Sequence, residues 1–156
     1  MKYNLSEITA LIKDRRTIYP EQFSDRKIHR EQIEVLLNNA IWAPNHGSTQ
    51  PWAFKVFLSD GLNKLSDFLS EQYKAMTPAE EFGELKYNKL KNRPLISGAV
   101  IAVTLKRDPE SRIREIEEVE AIACAIQNMY LTCTAYGIGG FWSTPKLAYG
   151  KEMHEF

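Results

Sequence analysis

The chain has 156 residues, 44% of them hydrophobic and 26% charged. A chain of this size buries roughly 70% of the surface it exposes when unfolded. That suits one domain, and the composition excludes a disordered tail, a collagen-like rod or a low-complexity linker. Lys plus Arg and Asp plus Glu are 20 each. A nucleic-acid binder draws most of its affinity from phosphate neutralisation and shows a basic excess, so no nucleic-acid partner is expected.

In chain order, Ser6 is a candidate cap for a first helix with Ile8, Leu11 and Ile12 on one face, ending near Arg15 to Thr17 and before Pro20. Residues 20–29 read as a loop, and the basic run Asp25 to Arg30, closed by Glu31, reads as a solvated turn. A second helix is predicted over about Arg30 to Trp42, with Ile33, Leu36, Leu37, Ala40 and Ile41 facing in, stopping before Pro44. A strand over Trp52 to Leu58 follows the loop between Pro44 and Pro51. Charged, helix-like sequence fills about Gly61 to Leu90, as two segments parted near Thr77-Pro78. Ser97 to Leu105 is almost wholly apolar and predicts a strand buried on both faces.

The longest helical pattern runs from Glu115 to Tyr136, with Ile116, Val119, Ile122, Ala123, Ile126, Met129, Tyr130 and Cys133 as its apolar positions. Glu115, Glu117, Glu118 and Glu120 complement the helix dipole in its first turns, and Gly137 is the candidate left-handed terminator. Ile138 to Ser143 reads as a third strand, and Lys146 begins a last short helix. No repeat or linker interrupts the pattern, so residues 1–156 are expected to form one domain.

Ala121 to Pro145 lacks charge, but its Gln, Asn, Thr and Gly content predicts a buried helix, turn and strand rather than a membrane span. No membrane partner is expected, and no apolar run follows Met1 to Asn4 to form a signal peptide. Cys124 and Cys133 are nine residues apart, about half a turn out of phase on a helix, with about 13 Å of rise between them. They cannot pair within it, and two unpaired buried thiols suit a cytoplasmic protein. His29, His46 and His154 show no metal-ligand spacing, so no metal site is expected.

Three places are dense in chemistry. Arg15-Arg16-Thr17 offers two guanidiniums and a hydroxyl, enough to hold a phosphate by charge-assisted hydrogen bonds. The same arginines also suit the negative end of the first helix. The segment Ala43-Pro44-Asn45-His46-Gly47-Ser48-Thr49-Gln50-Pro51-Trp52 packs amide, imidazole and hydroxyl groups between two prolines. It suits an oriented polar ligand, or equally a connection whose polar groups satisfy their own backbone. Gly137-Ile138-Gly139-Gly140-Phe141-Trp142-Ser143-Thr144 is glycine-rich, but a helix precedes it and a strand follows. A dinucleotide fingerprint needs strand, glycines and then helix, so the glycines are read as allowing close backbone approach, to another chain or to a flat ligand.

Together and in this order, these three segments resemble those of the nitroreductase family of FMN-dependent oxidoreductases, in its small, minimal members. The resemblance spans about Leu5 to Phe156. It implies an α+β fold: a central, mixed, largely antiparallel sheet flanked by helices, assembled as a homodimer through the helix from Glu115 to Tyr136. It implies one FMN at each of two sites built at the subunit interface, with NAD(P)H as reductant. By matching positions, Arg15, Arg16 and Thr17 hold the phosphate and ribityl chain. His46 reaches the flavin from the other subunit, with Trp42, Pro44, Asn45 and Gln50 around it. Trp142, Ser143 and Thr144 lie against the isoalloxazine or its tail; members of this kind often have Arg where Ser143 stands. The family normally continues several tens of residues further, often adding a last strand to the partner's sheet and a basic residue at the phosphate, so the sequence is expected to be either a fragment of a longer member or a naturally truncated one.

The implied activity is ping-pong hydride transfer from NAD(P)H to electron-poor acceptors such as nitroaromatics or quinones. No side-chain nucleophile and no obligatory general acid is expected. Trp42, Phe82, Tyr87 and Trp142 are the candidates for an aromatic ceiling over the flavin. The alternatives are a non-catalytic flavin-binding or structural dimer, or another reaction of the family such as dehydrogenation, dehalogenation or flavin breakdown.

Overall fold

The structure is a computed structural model that describes residues 2–156. The chain divides into two compact units. The first holds the chain up to Ile18, Lys27–Lys55 and Ile101–Gly140. The second holds Tyr19–Arg26, Val56–Val100 and Phe141–Phe156.

In the first unit, α1 (Leu5–Asp14) is capped by Asn4, whose side-chain oxygen accepts from the Ser6 N–H at 3.0 Å. The capping residue is thus Asn4 and not Ser6. None of the side chains of α1 is buried. Leu5, Ile8 and Ile12, a stripe at helical spacing, stay 69%, 42% and 53% exposed. The periodicity is real, but among the described residues nothing covers that face.

Helix α2 (Arg30–Ala40) buries Ile33, Leu36 and Ala40 as the spacing predicts. It ends two residues earlier than expected, so Ile41 turns outward instead of in. Helix α5 (Glu115–Tyr136) has the predicted span and ends on Gly137 at φ +68°. Ile138 N–H closes back onto the Cys133 carbonyl at 2.8 Å, which satisfies one of the last free carbonyls of the helix.

The inward side of α5 differs from the prediction. Ala121, Ala125, Ile126 and Thr132 are buried, while Ile116 and Val119 are exposed. Small residues decide this. Ala40 and Ala43 meet Ala121 and Ala125 beside Trp52, which lets α2 and α5 approach closely. A helix that is apolar on both sides presents one of them to its own chain and leaves the other uncovered. Cys124 lies exposed and Cys133 half-buried, so neither is the fully buried thiol expected. Asn39 ties the helices, donating to Thr132 Oγ1 at 2.9 Å while its carbonyl accepts from Asn128 at 3.1 Å.

Strands β1 (Trp52–Phe57) and β2 (Val100–Leu105) form a two-stranded sheet. Lys106 N–H bonds the Pro51 carbonyl and Thr104 Oγ1 reaches the Ala53 carbonyl, so pairing runs antiparallel. The α+β class holds, with this two-stranded antiparallel sheet among the described residues where a larger mixed sheet was expected. Residues 138–143 form no strand, because the segment has one such bond, Ile18 N–H to the Gly140 carbonyl at 3.0 Å, and no ladder. β2 is accordingly half-exposed and not buried on both faces.

In the second unit, α3 (Asp60–Met76) packs on α4 (Glu84–Leu95) through Leu62, Leu65, Ser66, Ser70 and Tyr73. The Ser66 hydroxyl donates to the Lys91 carbonyl and Ser70 to the Ser66 carbonyl, so the small polar residues between the helices are satisfied. The predicted break at Thr77-Pro78 is present, closed by Gly83 N–H donating to Tyr73 OH at 3.0 Å. Phe156, after α6 (Lys151–Glu155), stacks on Phe68 and Phe57 with centroids at 4.1 and 5.8 Å. The loop before α2 is anchored by Glu21, which accepts from Arg93 at 2.8 and 3.3 Å.

Candidate functional site

Arg15 follows the last residue of α1, and its guanidinium lies over the Tyr130 ring of α5, 5.6 Å from the centroid. That contact holds a half-buried cation in place without neutralising it. Arg16 is exposed and folds back, its Nη1 donating to the Lys13 and Arg15 carbonyls at the end of α1. Arg16 therefore does complement the helix terminus. Among the described residues only Nη1 is engaged, which leaves Nε and Nη2 available to an anion. Thr17 is exposed beside them. A Cβ on Gly140 would meet Tyr130 Cε1 at 3.0 Å. The close approach that this glycine permits is thus to the ring carrying Arg15, within the chain.

The loop after α2 is held from three directions. Asn45 Oδ1 accepts from Gln50 N–H at 2.9 Å and its amide donates to the Ala43 carbonyl. The Thr49 hydroxyl donates to the His46 carbonyl. Gly47, Ser48 and Gln50 all lie at positive φ, between 46° and 62°, a conformation that costs non-glycine residues energy and persists only where the surroundings impose it. Beneath Gly47 lies Ile113, whose Cδ1 would be 3.1 Å from an added Cβ. His46 itself sits on Glu117, Nδ1 to Oε2 at 2.6 Å. Pro44, Asn45, His46, Glu117, Glu120 and Cys124 border a shallow depression of about 370 Å³.

The floor of this loop is fixed by a buried carboxylate. Glu118 is 1% exposed; its Oε1 accepts from Asp108 N–H at 2.8 Å and its Oε2 lies 2.8 Å from Arg107 Nε. Arg107 also reaches Glu115 at 2.9 Å and the Ile113 carbonyl at 3.3 Å. Arg112 holds the Asp108 carboxyl below the usual carboxylate range through a hydrogen bond at 3.1 Å. Residues 107–118 thus form one charged clamp that seats Ile113 under the His46 turn.

Among the predicted site residues, the structure gathers Trp42, Pro44, Asn45, His46 and Gln50 in this loop, with Trp42 83% exposed. Arg15, Arg16 and Thr17 form a separate cluster near the other end of α5. Trp142, Ser143 and Thr144 lie in the second unit, all exposed. Phe82 and Tyr87, two of the ceiling candidates, pack against each other and Phe82 against Tyr73, with centroids at 5.7 and 5.4 Å.

A family model described as "Nitroreductase family" matches residues 12–149. The chain belongs to the nitroreductase family. It is 29% identical over 153 residues to a Bacillus subtilis protein assigned as the NAD(P)H nitroreductase YfhC, a match covering 96% of this chain and 75% of that one. Its fold is similar to that of a nitroreductase-like family protein from Bacillus cereus (TM-score 0.76, 29% identity, 99% of this chain and 78% of the other). It is also similar to that of a Desulfovibrio desulfuricans protein assigned as a nitroreductase and crystallised with FMN (TM-score 0.67, 25% identity, 92% and 70%).

Sequence reasoning passes over Glu117, Glu118, Ile113 and Tyr130 as supports of the site. The two glutamates are legible only as acids suited to a helix N-terminus, and nothing in the sequence links Glu117 to a histidine 71 residues away.

Proposed function

We propose that this nitroreductase-family chain is an FMN-dependent oxidoreductase that uses NAD(P)H to reduce electron-poor acceptors such as nitroaromatics or quinones. It works as a cytoplasmic homodimer in which the whole chain serves as one flavin-binding domain. Family membership supports the reaction class. The observation that carries the two-chain site is the separation of the two basic clusters along α5. Arg15 rests on Tyr130 and His46 on Glu117, 13 residues apart. That spacing is about 20 Å along the helix and about 140° around it. One cofactor needing both the arginines and the histidine then takes them from two chains. The apolar stripe Ile116–Val119 left open on α5 supports a second copy there.

The donor set fits the group. Arg15 is an un-neutralised cation fixed on a ring, Arg16 has free N–H donors, and Thr17 offers a hydroxyl; these suit a phosphate and a polyol chain. FMN, when bound, supplies hydride acceptance and donation. Arg15 and Arg16 bind the phosphate, and Thr17 bonds the ribityl chain. His46 would orient the ring system, with the exposed indole of Trp42 beside it in the same loop as a candidate to exclude water. One pocket then takes reductant and acceptor in turn.

The test is a visible spectrum of the purified protein loaded with FMN, before and after anaerobic NAD(P)H. Bound flavin that bleaches, and recovers with a nitroaromatic or quinone, is the expected result. Flavin that binds but does not bleach points to a non-catalytic flavin protein, and failure to load FMN refutes the reading.

A further inference from the structure

We infer that Glu117 is a positioning residue for His46, fixing the tautomer and the direction of its imidazole. The role of that imidazole at the flavin rests on the function proposed above. His46 projects from a turn with two-thirds of its side chain exposed, while Glu117 is one-third exposed. An unrestrained ring at such a position samples several rotamers. Here Nδ1 lies 2.6 Å from Glu117 Oε2, across 71 residues of sequence. An ionised carboxylate only accepts hydrogen bonds, so the proton sits on Nδ1 and Nε2 is the ring nitrogen left for a ligand.

The backbone on both sides is equally committed. Glu117 is in the first turn of α5, immediately before Glu118, which is locked to Asp108 and Arg107. The His46 carbonyl accepts from Thr49, and the next residue rests on Ile113. The hydrogen bond between His46 and Glu117 therefore joins two rigid points. Glu117 acts through His46 and orients it for any ligand in the adjoining depression.

The imidazole itself provides the test. Long-range proton–nitrogen correlation spectra of the three histidines, with His46 assigned by its loss in His46→Gln, report which nitrogen carries the proton. In the wild type the proton is expected on Nδ1. Glu117→Ala should shift or average that signal, and Glu117→Gln, whose amide oxygen still accepts, should largely restore it. In parallel, FMN dissociation constants are read by flavin fluorescence. Glu117→Ala should weaken FMN by up to about tenfold, the size of one lost hydrogen bond from a misdirected His46. The double variant with His46→Ala should bind no worse than His46→Ala alone. A His46 spectrum unchanged by Glu117→Ala, or effects that add in the double variant, would overturn the inference. If His46→Ala leaves FMN binding unchanged while the ring signal still depends on Glu117, the pairing stands and the flavin role of His46 fails.

Discussion

Replacing Glu118 by alanine removes the carboxylate that seats the clamp under the His46 loop. Its Oε1 accepts from Asp108 N–H at 2.8 Å, and its Oε2 pairs with Arg107 Nε by charge at 2.8 Å without a directed hydrogen bond, at a site 1% exposed. Removing one partner of a buried pair costs about 3–5 kcal/mol. Arg107 keeps Glu115, and its side chain is 35% exposed, so water and the second carboxylate recover part of that loss. The expected destabilisation is then about 3 kcal/mol, the lower end of that range. Glu118→Gln keeps an acceptor for Asp108 N–H and loses the charge facing Arg107, for about 1–2 kcal/mol. Urea unfolding followed by far-ultraviolet circular dichroism measures both, with the slope as a check that only the midpoint moves. Amide exchange at Asp108 should accelerate in the alanine variant alone. An alanine variant within about 0.5 kcal/mol of wild type, the range of an ordinary surface change, would refute the assignment of this carboxylate as a structural clamp.

Gly47→Ala puts a side chain at φ +62° and 3.1 Å from Ile113 Cδ1, so a loss of about 1–2 kcal/mol is expected by the same urea assay. Arg15→Ala with Arg16→Ala should abolish FMN retention on a desalting column while leaving helical content intact; FMN held at wild-type strength would exclude the arginines from the phosphate. Burial pushes the Cys133 thiol up to about 11. It should resist iodoacetamide at pH 8 in the folded protein. Because the folded value lies above the unfolded one, its contribution is fully present below about pH 8.5 and is lost as pH rises towards 11. A Cys133→Ser variant should show a shallower alkaline decline.

Periodicity gives the span of α5, the inward face of α2 and the break before α4, because those patterns depend on local spacing. It misplaces the buried side of α5, since a sequence with apolar residues on both sides does not say which one its own chain covers; Ala121 and Ala125 win through close approach to Ala40 and Ala43. The strand expected over 138–143 fails for a related reason: extended, glycine-rich backbone becomes a strand only beside a partner, and a partner is a long-range fact. Within the site, the chemistry-bearing residues are legible by type and motif. Their supports are not, because Tyr130 beneath Arg15 and Glu117 beneath His46 are set by tertiary packing.

The sheet has a consequence for handling the protein. Among the described residues the sheet order is β1-β2, so β2 has one strand neighbour and one edge without a paired strand. The β2 sequence is Val-Ile-Ala-Val-Thr-Leu, six residues with no charge, glycine or proline. Such an edge is a template for intermolecular strand addition and, once unfolding frees it, for cross-β aggregation. Heating this chain should therefore end in turbidity rather than reversible melting, and thioflavin fluorescence of the heated protein should fall when Val103 is changed to Lys, which places a charge at the centre of that segment.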